Sequence, residues 1–137
     1  MITKCRILQL PKITDPRGNL TFIEGGSHVP FDLKRVFYLY DVPGGVERGG
    51  HALKTCEQLL IAVAGSFDVV LNDGVETCRF HLCRATTGLY ILSMLWRQMD
   101  NFSSGSVCLA LASEFYDPNG YFRDYEEYLR AAGVKKA

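Results

Sequence analysis

Three histidines are spread through 137 residues, and one of them, His51, sits in a stretch suited to chemistry: Gly44-Gly45-Val46-Glu47-Arg48-Gly49-Gly50-His51-Ala52-Leu53-Lys54. An imidazole titrating near neutral pH can take a proton from one atom and return it to the next. Cations or amides nearby must then hold the negative charge that gathers on oxygen, and Arg48, Gln58 and Arg97 are candidates for that task. Arg17, Arg35 and Lys54 add further cations, and the planar fork of arginine suits phosphate. Arg17 and Lys54 read equally well as solvated surface charges. A divalent metal needs several converging histidine or carboxylate ligands, which a lone imidazole does not supply, so neither a metal nor a redox cofactor is expected. His28, in the loop Gly25 to Pro30, and His81, on a hairpin strand, read as structural.

Fifteen basic residues balance fifteen acidic ones, so no overall field favours nucleic acid or an anionic membrane surface. The expected partner is small. The length and a 47% hydrophobic composition suit one domain over residues 1–137. Five cysteines, odd in number and without C-x-x-C spacing, together with an N-terminus lacking a signal-peptide pattern, point to a reduced, cytoplasmic chain. No apolar run approaches the ~20 residues that span a bilayer.

The elements that must position His51 read as a ladder of short strands. Cys5 to Leu10 alternates, Asp15-Pro16-Arg17-Gly18 is a turn, and Asn19 to Glu24 forms a second strand. Lys34 to Tyr40 is rich in strand formers, with its aromatics read as core. Gln58 to Ala64 is a nearly continuous apolar run, suited to a strand buried on both faces. Phe67 to Leu71 and Val75 to Leu82 flank the hairpin signal Asn72-Asp73-Gly74. Leu89 to Leu92, Leu95 to Met99 and Val107 to Ser113 complete an all-β sandwich or barrel. Only Tyr121 to Ala132 reads as helix, with an apolar stripe of Phe122, Tyr125 and Leu129 that caps the barrel or meets a partner, and Gly133 to Ala137 should fray.

The central stretch resembles the first cupin motif, whose frame falls on Gly45, His51, Leu53, Gln58 and Gly65, with the second motif starting near Gly88 and reaching Met99. Leu53, Gln58 and Met99 stand where three metal ligands would be. The likeness implies a jelly-roll barrel of antiparallel strands without a metal. A narrower likeness rests on Pro30 to Tyr38, Arg48-Gly49-Gly50-His51-Ala52, Gln58-Leu59-Leu60, Val63-Ala64-Gly65-Ser66, Gly88-Leu89-Tyr90, Leu95-Trp96-Arg97-Gln98-Met99 and Leu111 to Asp117. These segments resemble the nucleotide-sugar 3,4-ketoisomerases of the FdtA/QdtA type, also called WxcM-like cupins.

That resemblance implies an enzyme converting dTDP-4-oxo-6-deoxyglucose into its 3-oxo isomer on the way to 3-amino-3,6-dideoxy sugars, with His51 shuttling the proton. It implies a homodimer with shared or exchanged strands. A second family histidine falls on Leu53 and a family tyrosine on Phe37, both departures. Positions Arg17 and Arg97 are associated with carbon-4 configuration in the family; Arg97 beside Trp96 resembles the gluco-type members and Arg17 the galacto-type, a mixed pattern that leans to gluco because Arg97 lies nearer the expected ring site. Two rival readings stay open, a nucleotide-sugar-binding cupin without turnover and a related 3,5-epimerase, the latter needing a His–Asp pair and a tyrosine acid.

Overall fold

The structure, a computed structural model, describes residues 2–134. Strands β1 (Arg6–Gln9), β2 (Lys12–Asp15), β3 (Gly18–Thr21) and β4 (Arg35–Leu39) come first. They are followed by β5 (Arg48–Leu53), β6 (Gln58–Ala64), β7 (Phe67–Asn72) and β8 (Thr77–Leu82). Then come β9 (Thr87–Ile91), β10 (Trp96–Asp100), β11 (Val107–Ala112), β12 (Tyr121–Phe122) and the helix α1 (Tyr125–Ala131).

Two five-stranded antiparallel sheets, ordered β1-β9-β6-β11-β4 and β12-β5-β10-β7-β8, face each other, while β2 and β3 pair only with one another. The result is the cupin-type jelly roll expected, built as a two-sheet sandwich with a C-terminal helix. The core between the sheets holds Leu60, Phe67, Val69, Leu71, Leu89, Ile91 and Ala110. Strand β6 shows why its sequence is so apolar: Leu60 and Ala62 point into this core, whereas Leu59 and Ile61 join Val29, Phe31, Tyr90 and Leu111 in a second cluster on the opposite face. Both faces are covered, as the run of aliphatic residues requires.

The turn after β7 bears out its sequence. Gly74 takes a φ of +91°, the Asn72 side chain accepts from the Gly74 N–H, and the Asp73 carboxylate accepts from the N–H groups of Val75 and Glu76. Those side-chain bonds hold Val75 and Glu76 in the turn, so β8 starts at Thr77 rather than at Val75.

Three expectations are corrected. The strand expected over Asn19 to Glu24 ends at Thr21 and closes a hairpin with the unexpected β2. In β4 only Phe37 and Leu39 of the apolar residues turn inward, leaving Tyr38 and Tyr40 each 59% exposed, because a strand alternates its faces. The tail does not enter its helix at Tyr121: Tyr121 and Phe122 pair with Leu53 and Ala52 as an edge strand, and α1 starts only after Asp124, whose carboxylate caps the Glu126 N–H. The helix buries Tyr128 rather than the expected stripe alone. It packs on the outer face of β5 and β10 against Ala52 and Trp96, and the Tyr128 hydroxyl donates to the Met94 carbonyl at 2.9 Å. It thus caps the sheet, as one of the two expectations held. Gly133, at a φ of +75°, ends it; the rest of the segment expected to fray, Lys135 to Ala137, lies outside the described residues.

Candidate active site

Inward-facing side chains from both sheets leave a cavity of about 200 Å³ between them, lined by Phe37, Leu39, His51, Gln58, Leu60, Arg97, Met99 and Cys108. Arg48, Gly49, Tyr121 and Arg123 complete the wall. Strands β5 and β10 do most of the positioning, since His51 and Arg97 are direct register partners.

Arg48 lies three residues before His51, a spacing that in a regular strand would put the two on opposite faces. A bulge prevents this. The register passes from Arg97 opposite His51 to Gln98 opposite Gly49 and Met99 opposite Arg48, so Gly50 is an extra residue without a partner. Gly49 and Gly50 carry φ values of +93° and +67°, and a Cβ on Gly49 would lie 3.0 Å from the Arg97 carbonyl oxygen. Glycine is therefore required at Gly49 by conformation and by space. Beyond the bulge, Arg48 shares the cavity face with His51.

Arg97 is the most unusual group in the cavity. It is 2% exposed, its Nη1 donates to the Gln58 Oε1 at 2.6 Å, and its Nε and Nη2 are buried without a hydrogen-bond partner. A buried guanidinium with two idle donors costs several kcal/mol, and burial pushes its pKa down to about 10. Buried donors of this kind can hydrogen-bond an oxygen that reaches them. His51 faces this cation. Burial first and then the charge of Arg97 push its pKa down to about 4; the hydrogen bond with Gly49 works upward, and the Arg123 charge adds a lesser downward push. The imidazole is therefore neutral at physiological pH.

The structure thus brings together Arg48, His51, Gln58 and Arg97, and leaves Arg17, Arg35 and Lys54 outside this cavity. Arg17 lies on the β2–β3 hairpin, paired with Asp15 at 2.7 Å and with a side chain 90% exposed. Lys54 follows the last residue of β5 and sits over the Phe122 ring at 5.0 Å. Arg35 occupies an adjoining crevice, between the rings of Phe37 and Tyr116, where its Nη2 donates to the Tyr121 hydroxyl at 3.2 Å. Tyr121 and Arg123, which sequence reasoning assigned to a helix, line the cavity instead. The signal that would have found them is Asp124 followed by Glu127, the spacing of a helix start.

His28 accepts from the Glu24 N–H through Nδ1, as a structural histidine does. His81 pairs with Asp68 at 2.6 Å on the outer face of β7 and β8, away from the cavity. Leu53, at one of the cupin ligand positions, is fully buried with Cys56 and Ala112. Gln58 and Met99 occupy two others, and among the described residues no three His, Cys, Asp or Glu side chains converge. This donor set does not fit a cupin metal.

Facing sheets that carry one histidine and a buried arginine in the space between them define a cupin with its site inside the jelly roll. The family model described as "FdtA: WxcM-like, C-terminal" matches residues 3–133, and the chain belongs to that family. It is 39% identical over 125 residues, 91% of this chain and 90% of the relative, to the TDP-4-oxo-6-deoxy-alpha-D-glucose-3,4-oxoisomerase of Aneurinibacillus thermoaerophilus. Two solved structures superpose closely. The WlaRB TDP-quinovose 3,4-ketoisomerase of Campylobacter jejuni is 47% identical with a TM-score of 0.89, covering 93% of this chain and 98% of its own. A mutant of the 3,4-ketoisomerase QdtA from Thermoanaerobacterium thermosaccharolyticum, in complex with TDP-4-keto-6-deoxyglucose, is 38% identical with a TM-score of 0.93, covering 96% of each chain.

Proposed function

We propose that this protein is an isomerase that moves the keto group of dTDP-4-oxo-6-deoxyglucose from carbon 4 to carbon 3 through an enediol, supplying 3-amino-3,6-dideoxy sugar synthesis. The observation that carries the reading is a neutral imidazole facing a buried guanidinium with two idle donors, in one small cavity. The names of its relatives support the same reaction.

The hydrogen on carbon 3 is acidified by the neighbouring carbonyl. His51 removes it and returns it to carbon 4 on the same face of the ring. Negative charge gathers meanwhile on the sugar oxygens, where the free Nε and Nη2 of Arg97, oriented by Gln58, donate. A cavity of about 200 Å³ is smaller than the ~300–1,000 Å³ of sites for whole drug-sized ligands, so it takes the reacting ring alone. The diphosphate then lies at the wall where Arg48 and Arg123 stand. Kinship at 47% identity with an enzyme named for TDP-quinovose favours a gluco product, in line with Arg97 beside Trp96.

A homodimer fits the exposed apolar surface. Ile13 and Leu20 are 55% and 56% exposed on a hairpin that pairs only with itself, and Val36 and Tyr38 on the edge strand β4, with Tyr40 just past its end, are exposed. A monomeric mass in solution would count against it. Five free cysteines suit the reducing cytoplasm.

The deciding experiment is incubation of the pure protein with dTDP-4-oxo-6-deoxyglucose in heavy water, followed by NMR. The 3-oxo product is expected, with deuterium at carbon 4 wherever the shuttled proton exchanges. His51→Asn should lose ~10²–10⁴-fold in turnover while still binding dTDP. An inactive parent that binds the substrate would leave the reading of a cupin that holds nucleotide-sugars without turning them over.

A further inference from the structure

Moving one proton from carbon to carbon is half of a keto shift. The oxygen on carbon 4 must also gain a proton and the oxygen on carbon 3 must lose one, and His51 is occupied with the carbons. Among the described residues of the cavity, Phe37, Leu39, Leu60 and Met99 carry no exchangeable proton. The guanidiniums of Arg48, Arg97 and Arg123 and the amide of Gln58 donate hydrogen bonds but do not give up protons to a sugar oxygen. The Cys108 thiol, pushed up to about 12 by burial, is a poor carrier. Tyr121 is left.

We propose that Tyr121 is the proton carrier on the oxygen side of this reaction, held in place by Arg35; the inference rests on the isomerase reading above. Tyr121 pairs with Leu53 across the β5–β12 register, two residues from His51 and on the same face. Its ring meets the imidazole edge-on, with centroids 5.3 Å apart. The phenol oxygen accepts from Arg35 Nη2 at 3.2 Å, and no acceptor among the described residues takes the phenol proton. Tyr121 lines both the cavity and the crevice that holds Arg35, so its phenol stands where the two meet and can serve a ligand that reaches it.

The Arg35 side chain makes one hydrogen bond among the described residues, to this oxygen, in a crevice that Glu114 and Asp117 also line. It lies between the rings of Phe37 and Tyr116, at 5.2 and 5.5 Å, its Nε is buried without a partner, and among the described residues no carboxylate pairs with it. Its hydrogen-bond partner is thus the phenol.

The protons balance. As His51 takes the hydrogen of carbon 3, Tyr121 gives its proton to the oxygen of carbon 4, leaving a neutral enediol, an imidazolium and a phenolate stabilised by Arg35. The phenolate then takes the hydroxyl proton of carbon 3 while the imidazolium protonates carbon 4. Both residues end as they began.

Tyr121→Phe is expected to lower kcat by ~10²-fold or more, with dTDP affinity within about twofold of the parent. Arg35→Gln should slow the parent about tenfold, change nothing further in the Tyr121→Phe background, and be partly rescued by Arg35→Lys. An active parent with Tyr121→Phe turning over within threefold would overturn this inference and leave the isomerase reading standing, whereas an inactive parent would sink that reading first. Equal losses from Arg35→Gln in both backgrounds would remove Arg35 from the role. Should Tyr121→Phe fail to fold, a fluorotyrosine at Tyr121 keeps the shape and makes the phenol more acidic. A kcat–pH profile unmoved by it would equally overturn the assignment.

Discussion

Acidifying the assay tests the chemistry of the cavity directly. An imidazole with the ordinary value of 6.5 is about 10% neutral at pH 5.5, whereas one near 4, as burial and Arg97 make His51, is about 97% neutral there. Turnover per encounter, kcat/KM, should therefore stay nearly flat from pH 7.5 to 5.5, where an ordinary base would lose about tenfold. The NMR signals of the His51 ring in the free protein should titrate near 4. Replacing Arg97 by Met removes the second cause and keeps the first, so the titration should move up without reaching 6.5. Stability follows with a definite sign. The folded value lies below the unfolded one, so the unfolded chain binds more protons between pH 6.5 and about 4, and stability present above that window is lost as pH falls through it. The loss is at most about 3 kcal/mol, and less because part of the ring meets solvent. An acid limb near 6.5 in kcat/KM, matched by a His51 ring titrating there, would refute the account of the cavity.

Three further outcomes are expected. Arg123→Ala should weaken dTDP binding by about 10–100-fold, the worth of one charge-assisted contact to phosphate, in isothermal titration. Tyr128→Ala should cost about 3–5 kcal/mol in urea unfolding, because Tyr128 is fully buried and ties α1 to the Met94 carbonyl behind the site. Prolonged chelation should leave turnover unchanged, with elemental analysis reading no stoichiometric metal, since Leu53, Gln58 and Met99 replace three ligands.

Much of this was legible from residues whose meaning is local. The apolar run Gln58 to Ala64 is β6 with the bounds read from sequence, because a strand buried on both faces has no other pattern to show. His51, Gln58 and Arg97 stood out by type and spacing, and the cavity holds all three. What escaped was set by partners distant in sequence. Tyr121 and Phe122 have helix-compatible neighbours downstream, and only the free edge of β5 makes them a strand. Lys54 sits beside the motif in sequence but just past the end of β5, where Phe122 meets it. Arg35 read as a substrate-binding cation, and its contacts with Phe37, Tyr116 and Tyr121 were not legible, because two of these lie about eighty residues away.

The bulge at Gly50 means that β5 is read in two frames. Downstream of it the odd-numbered residues His51 and Leu53 face inward; upstream the even-numbered Arg48 does. A search for alternating polar residues along this strand would accept one of the two candidate groups and discard the other. It also separates the ways in which the site can change. Substitution alters what a position carries, but loss of one glycine would turn Arg48 toward solvent while His51 and Arg97 stayed in register, leaving an imidazole poised for proton transfer in a cavity stripped of a cation at its wall. Insertion or deletion of a single residue here can thus change which ligands the strand holds without touching the residue that performs the chemistry.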